Sequence, residues 1–416
     1  MSAASSTAAA CAQARTRGDP MRVLTFASLF FAALTAIAYI VTLSWVAPIP
    51  RDATSLVVGR DFLNFWMYGR AAWASDPSRF YDPRLYNEAL QAFLGPHYPG
   101  QNWSYPPSIM LLAAPFGRLG YLPALACWMA VGLGSIIGVL RGQFADKGAL
   151  AAILCSPAAI FCLISGQSAF LTAAVLLTVI AWLDRRPVLA GLLLGLLTVK
   201  PQLGLLFPIM LAASGRWRVF FVAAATALII IVATTAIFGA QVWIDYVQKG
   251  LPVQNLVLAD PDRIGTPYYP TIFMNMRGFG ASYATAMTVQ ACFSLFAVGA
   301  VYFAYRWRSG TDPLLLTALL FACSICGIPY LLLYDTLPIT CLAVMLLASG
   351  KCDALGQALT KLVFWLPLVQ AALGQFHIPG AALIPVAFAL YALSRLQPRA
   401  DAAAAPSTDL LPLSRA

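Results

Sequence analysis

The chain is poor in the residues that keep proteins in water. Only 10% of its 416 residues are charged, against about 25% in an average soluble domain, and 60% are hydrophobic. Water is therefore excluded as its main solvent. Histidine occurs twice, and the nine cysteines are scattered, mostly inside apolar runs that hold Cys127, Cys155, Cys162, Cys292, Cys323 and Cys341. The one CxxC spacing, Cys323 to Cys326, also falls in an apolar helical stretch, where packing explains it better than zinc or redox chemistry. The least hydrophobic segment, 48–105, has no DxD; the nearest such pattern is Asp260-Pro261-Asp262, which reads as loop. A metal-bridged nucleotide-sugar site wants paired carboxylates, so neither a metal nor another cofactor is expected.

What the chain has is apolar length. Windows of about 20 apolar residues, enough to cross a bilayer core of roughly 30 Å, recur from Val23 to Leu393. A lipid-exposed backbone must satisfy its own hydrogen bonds, so the expected fold is all-α and polytopic. The net charge of +10 does not point to nucleic acid, because the basic residues form short clusters between apolar segments. These clusters are Arg15/Arg17/Arg22, Arg141/Lys147, Arg185/Arg186, Arg216/Arg218, Arg306/Arg308, Lys351/Lys361 and Arg395/Arg399. All lie on the cytosolic side only if an even number of crossings separates each neighbouring pair.

That parity condition predicts about twelve transmembrane helices between 23 and 394. Residues 1–22 and 395–416 read as disordered cytosolic tails. Parity also breaks VLAGLLLGLLTVKPQLGLLFPIMLAA into a hairpin at Lys200-Pro201, since proline interrupts a helix and an unpaired ammonium in lipid is costly. Further tips are expected at Ser165-Gly166-Gln167, at Ile328 to Asp335 and around Gln375 to Gly380, with a re-entrant or interfacial piece at Pro106 to Arg118. Loops 48–105 and 239–283 then lie outside. An Ala-rich, Lys-poor composition favours a bacterial plasma (inner) membrane.

Loop 48–105 carries the densest chemistry. Phe62, Phe65, Trp66 and Trp73 approximate a helical stripe accompanied by Arg60, Asn64 and Arg70, which suggests an amphipathic helix at the membrane interface, and a second is expected from Arg84 to Leu94. Asp61 opens the first of these helices. It suits either general-base work or an N-cap. Asp76 and Asp82 precede prolines and read as turn residues.

The order of short motifs resembles the polytopic glycosyltransferases of the GT-C class, family 87. The pieces are RDFLNFWMYGRA, RFYDP, YPPSIMLLAAPFGRL, SGQSAFL, RRPVLAGLLLGLLTVKPQLGLLFP and YLLLYDTLP, spread over roughly 25–350. The resemblance implies an inverting enzyme that moves a sugar, mannose above all, from a polyprenyl-phosphate donor to a hydroxyl of a glycolipid or glycan acceptor. It implies that Asp61 is the base, that Lys200 and Arg60 face the donor phosphate, and that Gln167, Tyr334, Asp335 and Tyr330 line the site. Each also has a plainer reading. Lys200 suits snorkelling, Gln167 a turn, and Tyr334 and Asp335 a helix cap. Where many relatives carry a Pro-His pair, this chain has Gly327-Ile328-Pro329-Tyr330. His377 falls outside the motifs and reads as structural. A twelve-span transporter and a non-catalytic lipid-binding protein are the competing readings, although no internal repeat of the kind common in transporters stands out.

Overall fold

The computed structural model describes residues 20–398 apart from 46, 48, 145–146, 261–265 and 309. Most of the two expected tails, together with Asp262, lies outside the described residues. Apart from two isolated bridges at Arg51, the described chain is helical.

Helix α1 (Pro20–Thr42) leads into the first loop region, which holds α2 (Phe62–Ala71), α3 (Pro83–Leu94) and the short α4 (Ile109–Ala113). The chain continues through α5 (Tyr121–Leu140), α6 (Lys147–Leu154), α7 (Pro157–Ser165) and α8 (Ala169–Trp182). Next come α9 (Pro187–Gly195), α10 (Phe207–Ala213) and α11 (Trp217–Phe238). The second loop region contains α12 (Gln241–Asp245), α13 (Leu251–Ala259) and α14 (Ile272–Gly278). Five helices close the fold: α15 (Tyr283–Trp307), α16 (Pro313–Cys326), α17 (Leu337–Ser349), α18 (Ala354–Gln375) and α19 (Leu383–Ser394).

Four helices, α1, α5, α11 and α15, are long and apolar enough to cross a membrane alone, and α6 with α7 forms a fifth candidate bent by 48°. The protein is thus an all-α, polytopic membrane protein. Its long helices sit at the periphery: Phe26, Phe30 and Val41 of α1 and Phe221, Ile229 and Val232 of α11 are exposed, as helices facing lipid require. The interior is made by shorter helices. Nearly every residue of α16 and the first ten of α17 are buried, so these two read as apolar on all sides. Close approach depends on small residues: a Cβ on Gly191 or Gly195 of α9 would stand 2.6 Å from Val222 or 2.4 Å from Thr226 of α11.

The breaks fall where proline and glycine put them. The apolar run after Arg186 leaves the α-helix at Leu196 and passes through two 3-10 turns on either side of Lys200, where φ is −141°. Between α7 and α8 the turn is closed by Gly166 in the left-handed region, at φ 62°.

Helix α2 is enclosed on more sides than an amphipathic interfacial helix requires. Eight of its ten residues are buried, because Trp128, Phe116 and Tyr121 pack on one side and Trp103, Tyr81 and Tyr105 on another. An apolar stripe read from one segment cannot reveal that later segments supply a second wall. Helix α3 does behave amphipathically, burying Tyr86 and Leu90 one turn apart. Gly69 lets the backbone of α2 touch that of Gly117: a Cβ on Gly117 would lie 2.1 Å from the Gly69 carbonyl carbon. The expected piece before α5 is therefore α4 and a 3-10 turn clamped under α2.

Candidate active site

A tight turn delivers Asp61. Asp52 organises it, with Oδ1 accepting from the Thr54 N–H (2.8 Å) and hydroxyl (2.6 Å) and Oδ2 from Arg60 Nε (2.5 Å). Gly59 and Arg60 both take positive φ, 80° and 30°, and a side-chain-bearing residue in that region signals a constrained backbone. Arg60 thereby pairs with Asp52 across the turn.

Asp61 occupies the N-cap position of α2 but makes no side-chain capping bond. Its Oδ2 instead accepts from Gln167 Nε2 at 3.1 Å and from the Tyr334 hydroxyl at 3.0 Å, partners 106 and 273 residues away in sequence. Its Oδ1 accepts no hydrogen bond among the described residues, and the residue remains partly exposed. One oxygen is fixed and the other is open. Burial, opposed by the bonds from Gln167 and Tyr334, raises the Asp61 pKa above the ordinary 3.8.

Beside Asp61 lies a buried ion pair. Lys200 Nζ donates to Asp335 Oδ1 at 2.9 Å and to Gln167 Oε1 at 3.2 Å, and stands 5.1 Å from the Tyr334 ring centroid. Lys200 is 2% and Asp335 6% exposed, so neither snorkels to solvent. The Gln167 amide thus bridges two charges, giving its N–H to Asp61 and its oxygen to Lys200. Three hairpin tips converge here, those of Gln167, Lys200 and Tyr334-Asp335, under a lid formed by the first loop region.

Gly166 makes the convergence possible. A Cβ there would lie 2.6 Å from Phe62 Cβ and 2.7 Å from the Gly59 carbonyl oxygen, so only glycine lets the Gln167 tip reach the Asp61 turn. Gly166→Ala is expected to cost about 1–3 kcal/mol and to reduce activity by displacing Gln167. Gly134→Ala, where a Cβ meets nothing within 4 Å, serves as the control and is expected to be harmless. Thermal unfolding in detergent, run alongside a transfer assay, compares them.

The Tyr330 ring stands 5.2 Å from that of Tyr269. Asp76 and Asp82 close turns: Asp76 accepts from Ser78, and Asp82 caps α3 through the N–H groups of Arg84 and Leu85. His377 is exposed in the turn between α18 and α19. Sequence reasoning missed Tyr105, whose hydroxyl lies 3.2 Å from Gln167 Nε2. It opens the YPPS motif, but nothing in a lone tyrosine distinguishes a buried bridge from a packing ring. Among the described residues no three His, Cys, Asp or Glu gather as metal ligands would.

These features define a polytopic membrane protein with a partly enclosed carboxylate site. A family model described as glycosyltransferase family 87 matches residues 103–334, more than half of the chain. The chain belongs to glycosyltransferase family 87, and it is accordingly a glycosyltransferase. No curated protein and no solved structure matches it. Gln167, Lys200, Tyr330 and Tyr334 lie inside the matched region, Asp335 follows its last residue, and Arg60 and Asp61 precede it.

Proposed function

We propose that this enzyme moves a sugar, mannose first among the candidates, from a polyprenyl-phosphate donor to an acceptor hydroxyl, with inversion at the anomeric carbon and Asp61 as general base. The observation that carries this reading is the Asp61 carboxylate, pinned through Oδ2 and open at Oδ1. The acceptor hydroxyl donates to Oδ1. As its oxygen attacks C1 of the donor sugar, the proton passes to Asp61 and the C1–O bond breaks with its electron pair leaving on the polyprenyl phosphate. Lys200 has three N–H groups, two of them engaged by Gln167 and Asp335. The third is assigned to the charge that grows on the leaving phosphate. Gln167 and Tyr334 hold the base still, and Tyr330 with the second loop region borders the acceptor.

Placement in the membrane supports the donor class. We assign the twelve crossings that parity of the basic clusters requires to the four long helices, the bent pair, six shorter apolar helices and α18. On that reading both termini are cytosolic and the site faces the extracytoplasmic side of a bacterial inner membrane. Nucleotide sugars are cytosolic, whereas a lipid-borne sugar is available there. A 14-residue helix such as α8 spans about 21 Å, less than a bilayer core of about 30 Å, and the proposal sets its Gln167 end below the surface, at a depth a lipid-linked sugar reaches from the side.

The direct test incubates the purified enzyme with labelled polyprenyl-phosphate mannose and membrane extract, then identifies the labelled product and its anomeric configuration. One labelled product of inverted configuration is expected. Transfer with retention, or no transfer from any lipid-phosphate sugar, would sink the proposal. Because Asp61 must be ionised to act and burial raises its pKa, the acid limb of the kcat/KM profile is expected above the usual carboxylate range. A limb near 3.8 would place the base elsewhere.

A further inference from the structure

On the far side of α2 from Asp61 is a cavity of about 520 Å³ that takes no part in the site above. Trp66 and Arg70 of α2 form one wall, Phe93 and Leu94 of α3 another, Tyr121, Leu122 and Pro123 at the start of α5 a third, and Ala47, Ile49 and Arg51 the fourth. At 3.6 residues per turn, Trp66 and Arg70 lie about 140° and about 180° round the helix from Asp61. The two sites are back to back.

Three observations converge on this cavity. It is cationic without compensation: neither Arg51 nor Arg70 pairs with a carboxylate among the described residues. Arg51 gives one terminal N–H to the Leu94 carbonyl and lies over the Tyr98 ring, yet its buried Nε–H has no acceptor. An orphaned donor of that kind costs about 1–3 kcal/mol and calls for an anion or other acceptor. Arg70 is held over Trp66 (4.9 Å) and Phe93 (5.9 Å), which fixes its plane and leaves its N–H edge free, the posture suited to phosphate.

The cavity also lies where two membrane-crossing helices emerge together. Arg51 follows the end of α1, and the α5 wall is that helix's first turn. Trp45 is 72% exposed there, and Leu119 and Leu122 are each 41% exposed, which marks the level at which lipid headgroups meet chains.

We propose that the Arg51–Arg70 cavity binds the phosphate of one anionic phospholipid of the bilayer, whose acyl chain lies along Leu119 and Leu122. Bound there, the lipid braces the back of α2 and so the turn that holds Asp61. The proposal rests on the membrane placement of the chain and not on the donor or acceptor assigned above.

The test reconstitutes the full-length enzyme in nanodiscs containing both phosphatidylglycerol and phosphatidylcholine and counts retained lipids by native mass spectrometry. Two basic residues at a membrane surface predict about a thirtyfold preference for one phosphatidylglycerol. Arg51→Gln/Arg70→Gln should abolish that preference. Should the double variant fail to fold, Arg70→Gln alone, at an exposed position, should reduce the preference about fivefold. Equal retention of the two lipids by the unaltered enzyme would overturn the proposal. So would a folded variant with unchanged preference, or displacement of phosphatidylglycerol by equimolar polyprenyl phosphate, which would make this the carrier's site.

Discussion

Asp61→Asn is expected to abolish sugar transfer while leaving the protein as stable as before, or more so. Loss of a general base lowers turnover by about 10²–10⁴-fold. Asparagine keeps the shape and an oxygen acceptor for Gln167 and Tyr334, so the bonds of 3.1 and 3.0 Å that fix Oδ2 have a substitute. The stability half follows from linkage. Burial raises the folded-state pKa of Asp61, so the folded protein binds this proton more tightly than the unfolded chain does. Stability then falls as pH rises from the unfolded to the folded pKa, and at neutral pH the ionised group is a net burden. The variant is free of that burden. Its melting temperature in detergent should equal or exceed that of the native enzyme at pH 7, with the difference shrinking as pH falls below the unfolded value. A folded variant that still transfers sugar would remove Asp61 from the mechanism, and a variant that merely unfolds would make the residue structural.

The second large effect concerns the buried Lys200–Asp335 pair, joined at 2.9 Å with both side chains 3% exposed. Removing one partner leaves an uncompensated charge inside the bundle, at a cost of about 3–5 kcal/mol. Lys200→Met and Asp335→Asn are each expected to lower stability, and the melting temperature in detergent reads that loss. Replacing both with apolar side chains of similar volume often restores what either single change removes. The double variant Lys200→Met/Asp335→Leu should therefore recover stability but not activity, since it lacks the cation proposed for the leaving phosphate and the donor that anchors Gln167. Recovery of both would reduce the pair to packing. Recovery of neither would mean that its geometry, and not only its charge, shapes the three hairpin tips.

The helix breaks beside Gln167 and Lys200 were legible because each carries a residue that backbone chemistry singles out. Proline after Lys200 and glycine before Gln167 interrupt helices wherever they stand, and a lone lysine in an apolar run is expensive unless something receives it. The same argument could not say what receives it. Asp335 is 135 residues further on, and nothing local distinguishes a partner for Lys200 from a cap for α17. Asp61 shows the same division. Its place before an aromatic helix allowed a cap or a base, and the absence of a capping bond, with two distant donors on Oδ2, sets the cap aside. The partner of Arg60 was equally hidden: it pairs with Asp52, eight residues earlier, across the turn at Gly59.

Composition alone determined that this protein lives in lipid and is helical, because scarcity of charge and apolar length are summed properties that no packing alters. The order of its motifs likewise sufficed to name its family. Only the tertiary structure decided which polar residues share a site. It set Gln167 between two charges and Tyr334 on the carboxylate, and it brought in Tyr105. It also walled the aromatic helix in on a second side. Such choices depend on contacts between segments hundreds of residues apart, where one glycine without a Cβ permits an approach that local sequence cannot announce.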